Sequence, residues 1–152
     1  MRKLFFLFIA LIAFQSQAQE LTWHTDLTKA INISKAEKKP IMLFFTGSDW
    51  CGWCIKLQKE VFKTPEFTKW AQEKVVLVEL DFPRKTALSP ELKSQNDQMK
   101  QMFQIRGYPT VWLVQPEDKE GKINFRQLGK SGYVAGGPTA WITAIEPAFK
   151  NL

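Results

Sequence analysis

The chain contains two cysteines, Cys51 and Cys54, which are separated only by Gly52 and Trp53. An apolar run at 41–45 and a short polar loop precede them and a helical pattern follows, so a strand would deliver Cys51 to a helix N-terminus. Unpaired backbone N–H groups and the positive end of the helix dipole favour a thiolate there. Cys54, one turn later, would be close enough to attack a mixed disulfide formed on Cys51. The motif therefore predicts thiol–disulfide exchange.

Three other roles for this cysteine pair are weaker. A structural disulfide would close only a few residues, so it would remove little entropy from the unfolded chain. A metal site could add His24, or Met99 and Met102, to Cys51 and Cys54. Zinc normally takes four ligands, however, and the spacing of the two methionines is typical of helix packing in a core. An adaptor without redox activity, which only binds partners, would leave both cysteines unexplained.

Residues 1–18 have the pattern of a secretory signal peptide. Arg2 and Lys3 precede an apolar stretch of eleven residues, and small and polar residues lead to a cleavage site after Ala18. The apolar stretch is shorter than the roughly 20 residues that a membrane-spanning helix needs. No cysteine stands at the cleavage point, which argues against a lipid anchor. We therefore expect export, with 19–152 as the mature domain.

Length and charge indicate one globular domain without a nucleic-acid partner. About 134 residues remain after the predicted leader, enough for one core. Removing the leader lowers the formal charge from +6 to +4, because Arg2 and Lys3 are its only charged residues. The other lysines fall on predicted solvent-facing helix surfaces, and no basic stripe with interleaved aromatic residues occurs. Two of these surfaces carry Lys35, Lys38 and Lys39, and Lys56, Lys59 and Lys63.

Hydrophobic periodicity and turn residues predict an α/β fold. Thr64 and Ser89 are predicted N-caps, each followed by a proline at the first helical position. The predicted order is helix 26–38, strand 41–45, helix from Trp50, short helix from Pro65, strand 75–81, helix from Pro90 to 103 or 104, strand 109–115, turn 116–121, strand 122–128, and helix from 136–138 to Pro147. A βαβ unit followed by an antiparallel hairpin gives a central mixed sheet of four to five strands, flanked by helices on both faces.

The sequence resembles thioredoxin-fold proteins in two motifs about 55 residues apart. The first is Asp-Trp-Cys-Gly-Trp-Cys at 49–54, and the second is Ile-Arg-Gly-Tyr-Pro-Thr at 105–110. The strand–hairpin–helix tail, closing at Gly129, extends the resemblance over about 40–149. More narrowly, the chain is similar to exported thioredoxin-like proteins and to the periplasmic reducing domains of transmembrane electron carriers, which often carry Gly-Ser-x-Trp-Cys.

The resemblance implies roles for four residues. Cys51 would be the nucleophile and Cys54 the resolving thiol, in agreement with their order along the helix. Tyr108–Pro109 would be a cis peptide bond beside the cysteines, where a client segment could pair with the backbone. Tyr108 would then face the disulfide and influence substrate choice. The alternative for Pro109 is an ordinary trans proline at the first position of a strand.

Trp50 and Trp53 bracket Cys51, and we expect them to form an apolar collar that contacts substrates. The alternative role for either tryptophan is core packing. That alternative weighs more for Trp50, since Trp53 lies in the predicted first, exposed turn of the helix.

The chain departs from cytosolic thioredoxins at one position. Those proteins place a buried aspartate six residues before the first cysteine as a proton acceptor, and this chain has Phe45 there. Glu79, in an otherwise apolar strand, is a candidate substitute, because a buried carboxylate is costly without a partner or a role. It would accept the proton of Cys54, with its own pKa raised by burial. The alternative is a carboxylate that reaches solvent or pairs with a lysine.

Charge near the cysteines favours a reducing pair. Gly52 and Trp53 contribute no cation, and Asp49 disfavours a nearby thiolate, although Lys56 and the helix dipole act the other way. We therefore expect an enzyme that reduces client protein disulfides and receives electrons from a membrane-bound thiol–disulfide reductase. The signal-peptide pattern and the family resemblance imply a periplasmic location, and we expect a monomer with no cofactor. A disulfide oxidase or isomerase of the same fold is the alternative.

Overall fold

The computed structural model describes residues 20–152, so the predicted signal peptide at 1–18 lies outside the described residues. No helix within 20–152 is long and apolar enough to cross a membrane. The elements are β1 (Trp23–His24), α1 (Leu27–Glu37), β2 (Ile41–Thr46), α2 (Gly52–Leu57) with a π-helical turn (Gln58–Phe62), α3 (Pro65–Lys74), β3 (Val76–Asp81), α4 (Pro90–Met102), β4 (Thr110–Lys119), β5 (Lys122–Ser131), α5 (Gly137–Ile145) and a 3₁₀ segment (Glu146–Asn151).

The five strands form one mixed sheet in the order β1-β3-β2-β4-β5. β1, β3 and β2 are parallel to one another, and β4 and β5 add as an antiparallel hairpin. The prediction of a mixed sheet flanked by helices is confirmed. The sequence analysis did not place β1, because a strand of two residues, Trp23 and His24, has no period to detect.

Two helices begin where the predicted caps Thr64 and Ser89 place them, and α1 has an N-cap, Asp26, that was not predicted. All three side chains accept a hydrogen bond from the backbone N–H three residues further on. Pro65 and Pro90 occupy the first helical positions, where the missing N–H costs nothing.

The predicted turn at 116–121 contains the observed turn but is too long. β4 continues through Lys119, and the turn consists of Glu120 and Gly121, both with positive φ (53° and 78°). Positive φ at both central residues matches the twist of a tight hairpin. Pro116 is tolerated inside β4 because β2 pairs with β4 only as far as Val114. At Pro116, β4 is paired with β5 on one side and is an edge on the other.

Two hydrophobic cores pack against opposite faces of the sheet, and β2 contributes to both. Phe44 belongs to the core that contains the cysteines and the aromatic residues of α3 and α5. Phe45 belongs to the other core, beneath α1 and α4. Alternation along the strand sets this division, because successive side chains point to opposite faces. Gly129 allows the C-terminal segment to close on the first core, since a Cβ there would lie 2.6 Å from the Cβ of Ala148.

Candidate active site

Cys51 and Cys54 form a disulfide at the start of α2. Their Cα atoms are 5.2 Å apart, and Cys51 is the N-cap residue of the helix. The backbone N–H of Cys54 donates to Cys51 Sγ at 3.2 Å, so the helix N-terminus directs a donor at this sulfur. Cys51 is 6% exposed and Cys54 is fully buried, which leaves Cys51 as the sulfur nearer to solvent. An N–H in this position would also stabilise a Cys51 thiolate.

The active-site helix continues from α2 into the π-helical turn. Cys54 and Leu57 from α2 are buried in the first core together with Val61 and Phe62 from the π turn. Because the apolar side of the helix faces the first core, Cys54 is buried in that core, as the helical spacing of the apolar residues predicted.

Trp50 joins the loop before Cys51 to the loop that follows β3. Its indole lies against Gly47, where a Cβ would stand 2.4 Å from the ring. Its Nε1–H donates to the backbone oxygen of Phe82 at 2.7 Å, and the guanidinium of Arg84 stacks 3.7 Å from the ring centroid. The ring of Tyr108 meets it edge-on at 5.6 Å. Trp50 thus combines loop packing with a position next to the nucleophile.

Ser48 and Asp49, in the loop before Cys51, bind the end of β3 and the loop that follows it. The backbone N–H and the hydroxyl of Ser48 both donate to the carboxylate of Asp81. The carboxylate of Asp49 accepts from the backbone N–H groups of residues 84, 85 and 86, at 2.9, 2.7 and 3.2 Å. These N–H donors, that of Arg84 above all, hold the pKa of Asp49 below its usual value. The charge of Asp49 is therefore partly compensated, which weakens its predicted effect on Cys51.

Removing the Asp49 carboxylate should loosen the loop at 84–86. We expect Asp49→Ala to raise amide hydrogen exchange there by about tenfold, because three backbone N–H groups lose their acceptor. Exchange followed by mass spectrometry measures this. Asp118→Ala, which removes a carboxylate paired with Lys35 near the hairpin turn, is the control. Unchanged exchange at 84–86 would contradict the proposed tie.

The Tyr108–Pro109 peptide bond is cis. Tyr108 is half-buried between the two cores and contacts the rings of Trp50 and Phe82. On the other side, a Cβ on Gly132 would lie 3.3 Å from the backbone oxygen of Pro109, so the loop after β5 runs close to the proline.

Trp53 lies on the opposite side of the cysteines from the Arg84 loop. It is 57% exposed, and its ring centroid lies 5.0 Å from that of Tyr133 in the loop after β5. Lys56 Nζ stands about 5 Å from both rings, at 5.1 and 5.0 Å. The Tyr133 hydroxyl donates to Glu60 at 2.6 Å. Exposure leaves the Trp53 ring accessible to a client, as its predicted contact role requires.

Glu79 lies on the face of the sheet that carries Cys54. It is the register partner of Phe44, and both side chains line a cleft of about 610 Å³ that Phe62 and Lys63 also border. Burial, and then the nearby Asp81 carboxylate, raises the pKa of Glu79 above its ordinary value. The comparison with cytosolic thioredoxins needs a correction, because Phe45 points to the other face. Met42 and Phe44 are the β2 residues on the cysteine side, and both are apolar.

The structure does not assemble the alternative metal ligands. His24 is on β1 at the edge of the sheet, Met99 is buried in the second core, across the sheet from the cysteines, and Met102 is 54% exposed. Within residues 20–152, no group of three or more His, Cys, Asp or Glu side chains could hold a metal ion.

Sequence reasoning missed three residues around the cysteines: Asp81, Arg84 and Tyr133. Asp81 is the last residue of β3, and Arg84 and Tyr133 lie in the loops that follow β3 and β5. No periodicity or motif marks such loop residues, since only the sheet order brings them to the end of β2.

A cysteine pair bridged across the first turn of a helix, beside a cis-proline on a mixed five-stranded sheet, defines a thiol–disulfide oxidoreductase of the thioredoxin fold. The family model of the thioredoxin-like domain matches residues 27–134. The chain belongs to this thioredoxin-like family.

Curated relatives and solved structures agree with this assignment. The chain is similar to the disulfide bond reductase DsbH of Chlamydia pneumoniae, with 37% identity over 133 residues, covering 88% of this chain and 75% of that protein. It also matches the thioredoxin-related protein DsbJ of the same organism at 35% identity, covering 68% of this chain but only 30% of that protein. The solved structure of a DsbH oxidoreductase superposes with a TM-score of 0.76 at 33% identity, covering 86% and 85% of the two chains. A thioredoxin from Thermus thermophilus shares the fold, with a TM-score of 0.57 at 15% identity over 86% of each chain.

Proposed function

We propose that this protein is an exported reductase of protein disulfides. The observation that carries the proposal is the Cys51–Cys54 disulfide at a helix N-terminus, with Cys51 nearer to solvent and Cys54 buried. Two further observations support the reducing direction: Gly52 and Trp53 contribute no cation to stabilise a thiolate, and a relative of 37% identity is named a disulfide bond reductase.

The reaction begins from the reduced pair. The Cys51 thiolate attacks one sulfur of a client disulfide, which forms a mixed disulfide and releases the other client sulfur as a thiolate. The Cys54 thiol then loses its proton and attacks Cys51 Sγ, which releases the second client sulfur. Two electrons pass to the client, whose sulfurs take up two protons, and the Cys51–Cys54 disulfide remains.

Glu79 is the proposed acceptor of the Cys54 proton. It lies on the cysteine side of the sheet, and its raised pKa brings it closer to that of a thiol, as proton transfer requires. The cleft beside it gives the proton a path to solvent. Tyr108 and Pro109, with Trp50 and Trp53, are the proposed contacts for the client segment around its disulfide.

Turnover requires reduction of the Cys51–Cys54 disulfide by a second protein. A membrane-bound thiol–disulfide reductase is the proposed donor, since the predicted signal peptide at 1–18 would place the domain outside the cytoplasm, where no glutathione pool reduces it. The domain at 19–152 would act there as a monomer.

The reduction potential of the pair tests the direction. Equilibration with dithiothreitol or glutathione, followed by thiol alkylation, should give a value near that of thioredoxin, about −270 mV. A value near the oxidising end of the fold family, about −120 mV, would instead assign a disulfide donor. The Cys51→Ser, Cys54→Ser double variant is the control for alkylation of other groups.

A further inference from the structure

Two groups of cations lie over aromatic rings around the cysteine pair. In the first, which we call the Arg84 cluster, Arg84 stacks on Trp50 at 3.7 Å, and Lys100 Nζ lies 5.4 Å from the Phe82 ring and 5.8 Å from Tyr108. Contact with an aromatic face holds a cation in place without neutralising its charge.

The second group, the Lys56 cluster, consists of Lys56 with Trp53 and Tyr133. The sheet order places the two clusters on opposite sides of the nucleophile. Arg84 follows β3, on one side of β2, and Tyr133 follows β5, on the other side. Cys51 follows β2 between them, so a client chain that crosses Cys51 would meet a cation on each side.

The charges of the Arg84 cluster are available to a ligand, whereas Lys56 is paired with one carboxylate at long range. None of the ion pairs found among residues 20–152 includes Arg84 or Lys100. Lys56 is 3.9 Å from Glu60, whose carboxylate also accepts the Tyr133 hydroxyl. A guanidinium stacked by its face keeps its N–H donors at the edge, where they match a carboxylate.

The nearby carboxylates have hydrogen-bond partners or positions of their own within the protein. Asp49 accepts from backbone N–H groups, Asp81 is bound by Ser48, and Glu79 lies in its cleft on the sheet face. Arg84 and Lys100 therefore keep their charges unpaired by any carboxylate among residues 20–152, and these are the charges open to a client.

We propose that the Arg84 and Lys56 clusters select client segments that carry aspartate or glutamate beside their cystine. The inference rests on the proposed reductase function and names its substrate class. Complementary charge speeds encounter and fixes the register of the client, so discrimination should appear in the rate of the first exchange step.

The selectivity is tested by reacting the reduced protein with three synthetic cystine peptides. The peptides are identical except that the residues beside the cystine are acidic, neutral or basic. The reduction of each peptide is quenched by alkylation at successive times at low salt, and the second-order rate constant is obtained from the time course. The acidic peptide should react at least about tenfold faster than the basic one, and the ratio should approach one at high salt, where exposed charges are screened.

Arg84→Gln and Lys56→Gln should each lower the ratio of acidic to basic rates by about two- to fivefold. Lys122→Gln, at the far end of the β4–β5 hairpin, removes the same charge away from the cysteines and should leave the ratio unchanged. An equal loss in all three variants would assign the effect to net charge and overturn the role of the clusters. Equal rates for the acidic and basic peptides would overturn the proposal while leaving the reductase function standing. Failure to reduce even the neutral peptide would contradict the reductase function itself.

Discussion

A Cys54→Ser variant is expected to hold client proteins on Cys51 as stable mixed disulfides. The disulfide places Cys51 nearer to solvent and Cys54 fully buried within one turn, so only Cys54 can release a client held on Cys51. The measurement is a non-reducing gel of the variant after exposure to a disulfide-containing client, with bands identified by mass spectrometry and lost on treatment with dithiothreitol.

Cys51→Ser is the matched control, because it removes the other sulfur of the same pair. It should form no such bands and should reduce clients slower than the wild-type protein by a factor on the order of 10³ or more, as loss of a catalytic nucleophile does. If Cys51→Ser trapped clients and Cys54→Ser did not, the roles of the two sulfurs would be reversed. If neither trapped them, exchange through a mixed disulfide would be contradicted.

Most of the scaffold follows from local sequence signals. Thr64 and Ser89 mark helix starts because their side chains satisfy N–H groups that the helix leaves unpaired. The continuous apolar run of β2 marks a strand covered on both faces. These signals, with the Cys51–Cys54 spacing, were sufficient to predict the mixed sheet and the position of the cysteines at a helix start.

The parts that sequence did not predict depend on contacts between distant segments. Counting back from Cys51 placed Phe45 at the position of the buried aspartate of cytosolic thioredoxins, but the pleat of β2 turns Phe45 away from the cysteines and Phe44 towards them. The tie between Asp49 and residues 84–86 joins two loops through backbone N–H groups, which leave no trace in residue type. The positions of Arg84 and Tyr133 on either side of Cys51 likewise follow only from the order of the strands in the sheet.

Glu79→Gln is expected to slow release of the mixed disulfide by at least about tenfold near neutral pH, since general base catalysis of a proton transfer typically contributes 10²–10⁴-fold. Gln keeps the size of the side chain but cannot accept the Cys54 proton. The deficit should shrink at alkaline pH, because hydroxide can then take the proton in place of the carboxylate. Rapid-quench measurement of the release step across pH gives both profiles. Glu73→Gln, an exposed carboxylate on α3, is the control.

Stability provides a second readout for the same residue. Because burial raises the pKa of Glu79 in the folded protein above the ordinary value of 4.5, protonated Glu79 favours folding at low pH. That contribution is complete below about pH 4.5 and is lost as pH rises through the folded pKa. The free energy of unfolding of the wild-type protein, relative to Glu79→Gln, should therefore fall with rising pH across this window, as urea titrations can measure. A difference in unfolding free energy that stays constant with pH would show that Glu79 is not buried as described. In the kinetic experiment, a slowing of mixed-disulfide release by Glu79→Gln that is equal at every pH would assign Glu79 a structural role instead of proton transfer.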